Sequence, residues 1–320
     1  MSNTRKIVIT GSHGFIGTNL AMKLSKIKDI SLIGVDSCIS GSNNKMYTDH
    51  FMKHYQFCLT NINQLKNVLE GAHIVIHLAA KGNVIDSLKD PISNLHSNVT
   101  STVCLLEAMR ISGVRNIIFS STGGALMGNT KPPVNEESLP SPISPYGASK
   151  NACEGYLSSY AESYNFNSII LRFGNVYGKY SSHKIGVINQ WIRRVIQGID
   201  LEIYGDGSST RDYIHVDDIC QGIYLASERL REKSTHGILE KYHLANNQEI
   251  SLNQILNHLK KISDKPISSK YYPTRKGEVY RNSSENKLAR DKLGFIPKVA
   301  FGEGVKQLYN WIKNEEFDLG

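Results

Sequence analysis

The chain has 320 residues, 40% hydrophobic and 21% charged, with 26 glycines. This is ordinary globular composition and excludes a collagen, a coiled coil, a disordered tail and a disulfide-stapled miniprotein. Lys and Arg total 37 against 29 Asp and Glu, a net charge of +8, but the longest basic pieces are only Arg193-Arg194 and Lys260-Lys261; so dispersed an excess fits a small phosphorylated ligand and excludes a nucleic-acid or membrane-binding patch.

In chain order, the first half alternates strand and helix. Residues 6–10 (KIVIT) are a short β-branched apolar run and read as a buried strand. Residues 14–26 carry Phe15, Ile16, Leu20 and Leu24 at helical spacing. Residues 31–36 (SLIGVD) read as a second strand, 62–70 as a helix and 73–78 (HIVIHL) as a strand. Residues 91–112 read as one long helix with Val99, Val103, Leu106 and Met109 on one face, and 114–121 (VRNIIFSS) as another strand. Such alternation implies a parallel sheet with helices on both faces.

Residues 128–145 hold Pro132, Pro133, Pro140, Pro142 and Pro145 and read as a loop crossing the surface. A helix over 145–164 and a strand over 168–173 (SIILRF) follow. Beyond Gly178 the alternation fades: 184–197 reads as helix, 201–204 as extended, 216–232 as helix and 242–245 as a short strand. The tail, 251–320, reads as short helices between loops. The expected organisation is a large domain over 1–177 and a smaller lobe over 178–320, part of about 204–245 returning to the main sheet.

The five cysteines, Cys38, Cys58, Cys104, Cys153 and Cys220, form no CxxC pair, so neither a disulfide framework nor a zinc site is expected. Residues 1–6 contain no signal-peptide core, and no apolar stretch reaches the ~18 residues of a membrane span, so the cytoplasm is the expected location.

Three glycines, Gly11, Gly14 and Gly17, follow the first strand at GxxGxxG spacing. In a strand–turn–helix context the first glycine permits the tight turn, the second lets backbone approach a pyrophosphate, and the third lets helix pack on sheet. Asp36 ends the second strand, where a carboxylate binds the adenosine ribose hydroxyls and repels a 2′-phosphate, favouring NAD over NADP. His13 reads as a loop residue tolerated beside the phosphates. Tyr146 and Lys150 form a YxxxK pair at the start of a helix and share one face. A tyrosine titrates near ~10, and about 4 kcal/mol of differential stabilisation brings it to about 7. Lys150, the helix N-terminus and a nicotinamide cation are the expected sources. Ser120-Ser121-Thr122 end the preceding strand, where ligands of open parallel sheets sit.

These pieces make the sequence resemble the extended short-chain dehydrogenase/reductases, the nucleotide-sugar epimerases and dehydratases, and among them UDP-glucose 4-epimerase-like enzymes. The matching segments are TGSHGFIG, HLAA at 77–80, NVTST at 98–102, FSSTGG at 119–124, SPYGASK, LRFGNVYG at 171–178, IYGDGSSTRDYIHVDDI at 203–219 and PTRKGE at 273–278. The resemblance implies a Rossmann-type doubly wound parallel sheet with a smaller mixed α/β substrate-binding lobe. It implies catalytic roles for Thr122, Tyr146 and Lys150. It implies NAD contacts from Gly11, Gly14, Phe15, Ile16, Gly17, Asp36, Leu78, Ala79, Ala80, Asn98 and Ser120, as well as from Tyr146 and Lys150. On the sugar-nucleotide side it implies Lys81, Thr122, Asn175, Val187, Arg211, Arg275 and Asn282, with Arg211 and Arg275 clamping the diphosphate. Taken by itself, Arg211 reads equally as a surface ion pair with Asp206 or Asp212. No metal is implied. Asp217 is expected to organise its own loop rather than touch substrate.

The sequence departs from the family at Met127, which is expected to alter a wall of the site, at Cys58, where the family carries an adenine-contacting acid, and at Gly178-Lys179-Tyr180. The reaction implied is transient oxidation at C4 of a nucleotide hexose and return of hydride to the opposite face. A 4,6-dehydratase needs an Asp-Glu pair after the catalytic Thr, where this chain has Gly123-Gly124. A 4-keto-sugar reductase commonly prefers NADP, which Asp36 disfavours. A non-catalytic dinucleotide sensor would not need Tyr146, Lys150 and the paired arginines together. Asn282 is smaller than Tyr, so an N-acetylhexosamine is expected to fit. Relatives serve polysaccharide precursor synthesis and often dimerise through helices corresponding to 91–112 and 145–164.

Overall fold

The opening apolar run forms β1 (Arg5–Thr10), whose last four residues are buried. In this computed structural model, which describes residues 4–38, 49–181, 186–232, 237–274 and 279–318, the glycine turn leads into α1 (Phe15–Leu24) and then β2 (Ile30–Asp36). There follow β3 (Lys53–Gln56), α2 (Ile62–Leu69), β4 (Ile74–His77), α3 (Ser101–Ile111), β5 (Asn116–Thr122), α4 (Pro145–Tyr164) and β6 (Asn167–Phe173). The second half contributes β7 (Asn175–Tyr177), β8 (Leu201–Tyr204), β9 (Thr210–His215), α5 (Val216–Glu232), β10 (Leu239–Leu244), β11 (Glu249–Ser251) and β12 (Ser269–Tyr272), with further helices at Val187–Gln197, Leu252–Ile262, Lys287–Leu293 and Phe301–Asp318.

Seven parallel strands form the main sheet in the order β10-β6-β5-β4-β1-β2-β3. The order reverses between β1 and β4, and that switch point is where an open α/β sheet leaves a crevice for ligand. Strand periodicity divides the core into two layers. Ile7 and Ile9 face one layer, with Leu20 and Leu24 of α1 and Ile219 and Ile223 of α5. Val8 faces the other, with Leu65 of α2, Leu106 and Met109 of α3 and Leu157 of α4. A third cluster, including Trp191, Ile192, Ile203, Leu256 and Leu308, packs the smaller lobe around β8 and β9. Sheets β11-β9-β7 and β12-β8 belong to that region.

Besides the short strands β3, β7, β9, β11 and β12, which no sequence pattern announces, the fold differs from the sequence expectation in its helices and in the proline-rich loop. The single helix expected over 91–112 is three pieces: Pro91–Leu95, a π-helical turn His96–Thr100, and α3. The wide turn sets Asn98 inward, where it bonds across to α4, and such turns recur at functional sites. A short helix, Val84–Lys89, precedes it. The proline-rich loop does not simply cross the surface: Val134 is buried and bridges to Ser284. The tail ends in an 18-residue helix rather than short ones only.

Candidate active site

The glycine turn is dictated by backbone contact. Gly11 has φ +69°, and a Cβ there would fall 2.6 Å from the amide N of Ala79. A Cβ on Gly17 would fall 2.2 Å from the carbonyl O of Gly11, so only glycine lets α1 lie this close to β1. Gly14 differs: a Cβ would meet only the Gly11 oxygen, at 3.1 Å. Gly14 is the N-cap of α1 and contributes no side-chain cap, so no side chain of its own covers the helix N-terminus. First-turn amides of a helix lack intrahelical acceptors and suit an anion. The side chains of Phe15 and Ile16 pack with the core, so only their backbone can serve that end. Leu78 continues β4, bonding Thr10 O at 3.1 Å, and brings Ala79 and Ala80 beside the turn.

Asp36 closes the crevice on the β2 side. It accepts the backbone N–H of His13 at 2.9 Å and that of Cys38 at 3.2 Å. The His13 ring lies 2.9 Å from His54 of β3, and burial lowers His54 to about 4, so that ring is neutral near pH 7. His13 is thus a member of a packed pair rather than a mere bystander. A glycine cradle, an uncapped helix end and a carboxylate at the tip of β2 fit a dinucleotide with free ribose hydroxyls.

Tyr146 and Lys150 enter from α4. Ser144 caps this helix by accepting the Gly147 N–H at 3.2 Å, and Pro145 occupies its first position, so the pair sits where helix geometry is best fixed. Lys150 is 2% exposed and donates its Nζ to the Ser120 carbonyl at 2.7 Å. Burial lowers it to about 8. Tyr146 hydrogen-bonds the Thr122 side chain, which favours the phenolate, but burial dominates and pushes the phenol up to about 12. The expected descent toward 7 is therefore not achieved by the protein groups alone. The Ser120 hydroxyl bonds the His77 carbonyl at 3.0 Å, so this side chain is directed at β4 while its carbonyl serves Lys150.

The loop after β4 passes beside Tyr146. A Cβ on Gly82 would lie 3.8 Å from the Tyr146 hydroxyl. Asn98 anchors this loop: its Oδ1 accepts the Lys81 N–H at 2.8 Å and its Nδ2 donates to Lys81 O at 3.2 Å and Ser149 Oγ at 2.9 Å. With both ends of its amide so engaged, Asn98 shapes the site through Lys81 and α4. Lys81 itself sends Nζ to Ser93 Oγ at 2.8 Å. Ser149, although inside SPYGASK, and Ser87, whose Oγ accepts the Tyr146 N–H at 3.2 Å, are not singled out as site residues by the sequence, since their partners lie far along the chain.

The substrate-side residues are less uniformly gathered. Asn282 is buried, with its amide 3.2–3.4 Å from where a Gly124 Cβ would stand, which brings it beside the Thr122 end of β5. Asn175 is exposed on β7, and Val187 opens the 187–197 helix half-buried. Arg211 is half-buried on β9 and donates Nη1 to Thr210 O at 2.8 Å. Arg275 lies outside the described residues. Met127 is fully buried with Leu126 and Val134, so it is not an open wall of the site. Asp217 is 65% exposed with its Oδ2 3.5 Å from His215 Nδ1 in its own segment, while Asp218 accepts the N–H groups of Lys298 and Val299. Cys58 is exposed just beyond β3.

A glycine cradle at the switch point of a parallel sheet, beside a Tyr–Lys pair over the next strands, is the arrangement of a dinucleotide-dependent enzyme doing hydride chemistry. The chain belongs to the NAD dependent epimerase/dehydratase family, whose model matches residues 7–240. It is 30% identical over 318 residues to the UDP-glucose 4-epimerase of Mycolicibacterium smegmatis, covering 97% of this chain and 99% of that one. It is similar to the structure of UDP-glucose 4-epimerase from Thermotoga maritima with UDP-glucose, with TM-score 0.88 and 31% identity over 97% of this chain and 99% of that one. UDP-glucuronic acid 4-epimerase from Bacillus cereus, in complex with UDP-glucuronic acid and NAD, gives TM-score 0.87 and 28% identity over 97% and 99%. The family, the doubly wound fold and the NAD cofactor expected from the sequence are borne out.

Proposed function

We propose that this chain interconverts the C4 epimers of a UDP-hexose or UDP-N-acetylhexosamine with NAD held throughout. The observation that carries this reading is the hydrogen-bonded Tyr146–Thr122 pair with buried Lys150 one helical turn on, beside the glycine cradle, with Gly123-Gly124 where a dehydratase would place its acid pair. Gly11, Gly14 and Gly17 admit the pyrophosphate, and Asp36 accepts the ribose hydroxyls. When bound, NAD accepts and returns the C4 hydride and, when oxidised, adds positive charge near the phenol. Tyr146 takes the O4 proton and later returns it, Thr122 holds the same oxygen, and the Lys150 ammonium favours the phenolate. Arg211, Arg275, Asn175 and Val187 hold the diphosphate side. Asn282 lies against the sugar and leaves room for an N-acetyl group.

Residues 1–177 hold the cofactor in this reading, and 178–320 hold the sugar nucleotide. A homodimer is also part of it. Ile85, Leu88, Ile92 and Leu95 are each about half exposed or more on short helices packed against α4, which adds exposed Tyr156. Exposed apolar side chains on neighbouring helices suit a second copy of this chain. Sedimentation should give twice the chain mass, and a single-chain mass would end that part of the proposal. No described helix is long and apolar enough to cross a membrane. NAD chemistry and free cysteines, Cys38 and Cys58 exposed among them, support a cytoplasmic setting in polysaccharide precursor synthesis.

The test is incubation with UDP-glucose, UDP-N-acetylglucosamine and UDP-glucuronic acid, followed by sugar analysis. A C4 epimer formed without net cofactor reduction is expected. A 4-keto-6-deoxy product would make the chain a dehydratase, and stoichiometric oxidation of reduced dinucleotide with a 4-keto sugar would make it a reductase. Turnover of no nucleotide sugar would sink the enzymatic reading in favour of a sensor.

A further inference from the structure

Helix α4 carries a third polar residue on the face of Tyr146 and Lys150. Glu154 lies four residues beyond Lys150, one turn along the same side. Its side chain is 3% exposed, and three strands converge on it. From β6, Arg172 donates Nε to Oε1 at 3.0 Å and Nη2 to Oε2 at 2.7 Å. From β5, Ser121 donates its hydroxyl to Oε1 at 2.6 Å. From β10, Lys241 brings Nζ to 3.8 Å from Oε2. Ser121 and Arg172 are register partners across β5 and β6, so the two donors reach the carboxylate side by side.

The residues flanking Ser121 are the ones that meet the catalytic pair. Ser120 offers its carbonyl to Lys150, and Thr122 hydrogen-bonds Tyr146. The Glu154 carboxylate thus holds β5 at the single residue between those two contacts. A bidentate guanidinium–carboxylate pair fixes direction as well as distance, which a hydrophobic contact would not.

We propose that Glu154 is a positioning residue for the epimerase reaction: it locks α4 onto β5 and β6 and supplies the negative charge that keeps the Lys150 ammonium at the Ser120 carbonyl. This rests on the reading of Tyr146 and Lys150 given above. The groups facing Lys150 are Cys153 and Glu154 from α4, His77 from β4, and the Ser120 carbonyl and Phe119 ring from β5, the ring centroid 4.6 Å from Nζ. His77 is held between Thr10 and Thr102, and burial lowers it to about 3, so it is uncharged near pH 7. Cys153 and then Glu154 oppose the burial that lowers Lys150, and Glu154 is the carboxylate of the two. Arg172 and Lys241 act on Lys150 through Glu154.

The test replaces Glu154 by Gln, which keeps size and one acceptor but removes the charge. The pH titration of Lys150, read from its side-chain ¹³Cε resonance, should move down by about one pH unit. The alkaline limb of kcat should follow it, with KM for the UDP-sugar unchanged and kcat at neutral pH lowered roughly ten-fold. The pair variant Glu154→Gln/Arg172→Met leaves no unpaired buried charge and carries the test if the single variant fails to fold. It should regain melting temperature yet keep the displaced titration. A Lys150 midpoint equal to wild type in a folded variant overturns the proposal. The resonance reports whether or not the chain is an epimerase, so an inactive wild type would count against the functional reading alone.

Discussion

Replacing Tyr146 by Phe should lower kcat by roughly 10²–10⁴-fold while leaving UDP-sugar and NAD affinity near wild type. The ring is placed by its position at the head of α4, where the Tyr146 N–H donates to Ser87 Oγ, with Gly82 beside the hydroxyl. None of these contacts requires the hydroxyl to bond, so Phe keeps the cavity filled. What disappears is the proton acceptor and its hydrogen bond with Thr122. A buried phenol pushed up to about 12 is almost wholly protonated at neutral pH, so the rate depends on every cation near it. Lys150, one helical turn on from Tyr146, is the proposed cation, and burial lowers it to about 8. A lowered ammonium is charged below that value and neutral above it, so activity supported by Lys150 should fall as pH rises through about 8. Steady-state kinetics with UDP-glucose or its N-acetyl counterpart, together with calorimetric binding, separates the two effects. An unchanged kcat would remove Tyr146 from the role of base. A matching loss of binding would point to collapse of the pocket instead.

How much of this was legible depended on which interactions are local. Helix α4 was readable almost to the residue because Ser144 caps it, Pro145 starts it and Asn165 ends it in the left-handed region. Strands β1, β4, β5 and β6 were readable because central parallel strands are apolar on both faces. Strand β3 was not, since KHYQ has no apolar run and owes its extension to pairing with β2 at the sheet edge. The π-turn at 96–100 was equally hidden: it is linked to contacts with residues 81 and 149, far along the chain. The same limit applies to the site. Gly11, Tyr146 and Lys150 announce themselves by spacing. Arg172 sits within the apolar LRF segment and Glu154 within a helix, and only the parallel register of β5 and β6 brings them together.

Two alanine substitutions in the glycine turn should fail in opposite ways, and the contrast tests the cofactor site directly. In Gly17→Ala the methyl would fall 2.2 Å from the Gly11 carbonyl and 2.9 Å from Ser12 backbone atoms. Those are rigid backbone groups, so α1 must move off β1, at a cost of about 3 kcal/mol or more. Both stability and NAD binding should drop. In Gly14→Ala the methyl meets only one atom within 4 Å, at 3.1 Å, and the backbone angles, φ −71° and ψ 167°, suit any residue. The fold should lose only about 1 kcal/mol, because Ala caps a helix less well than Gly. The methyl would, however, fill the open side over the N-terminus of α1, where the pyrophosphate must approach. NAD affinity should therefore fall about 100-fold, equivalent to about 2.7 kcal/mol, with the melting temperature nearly kept. Thermal melts and NAD titrations of both variants check this. If Gly14→Ala binds NAD as wild type does, the dinucleotide does not lie across α1, and the assignment of Asp36 to the ribose falls with it.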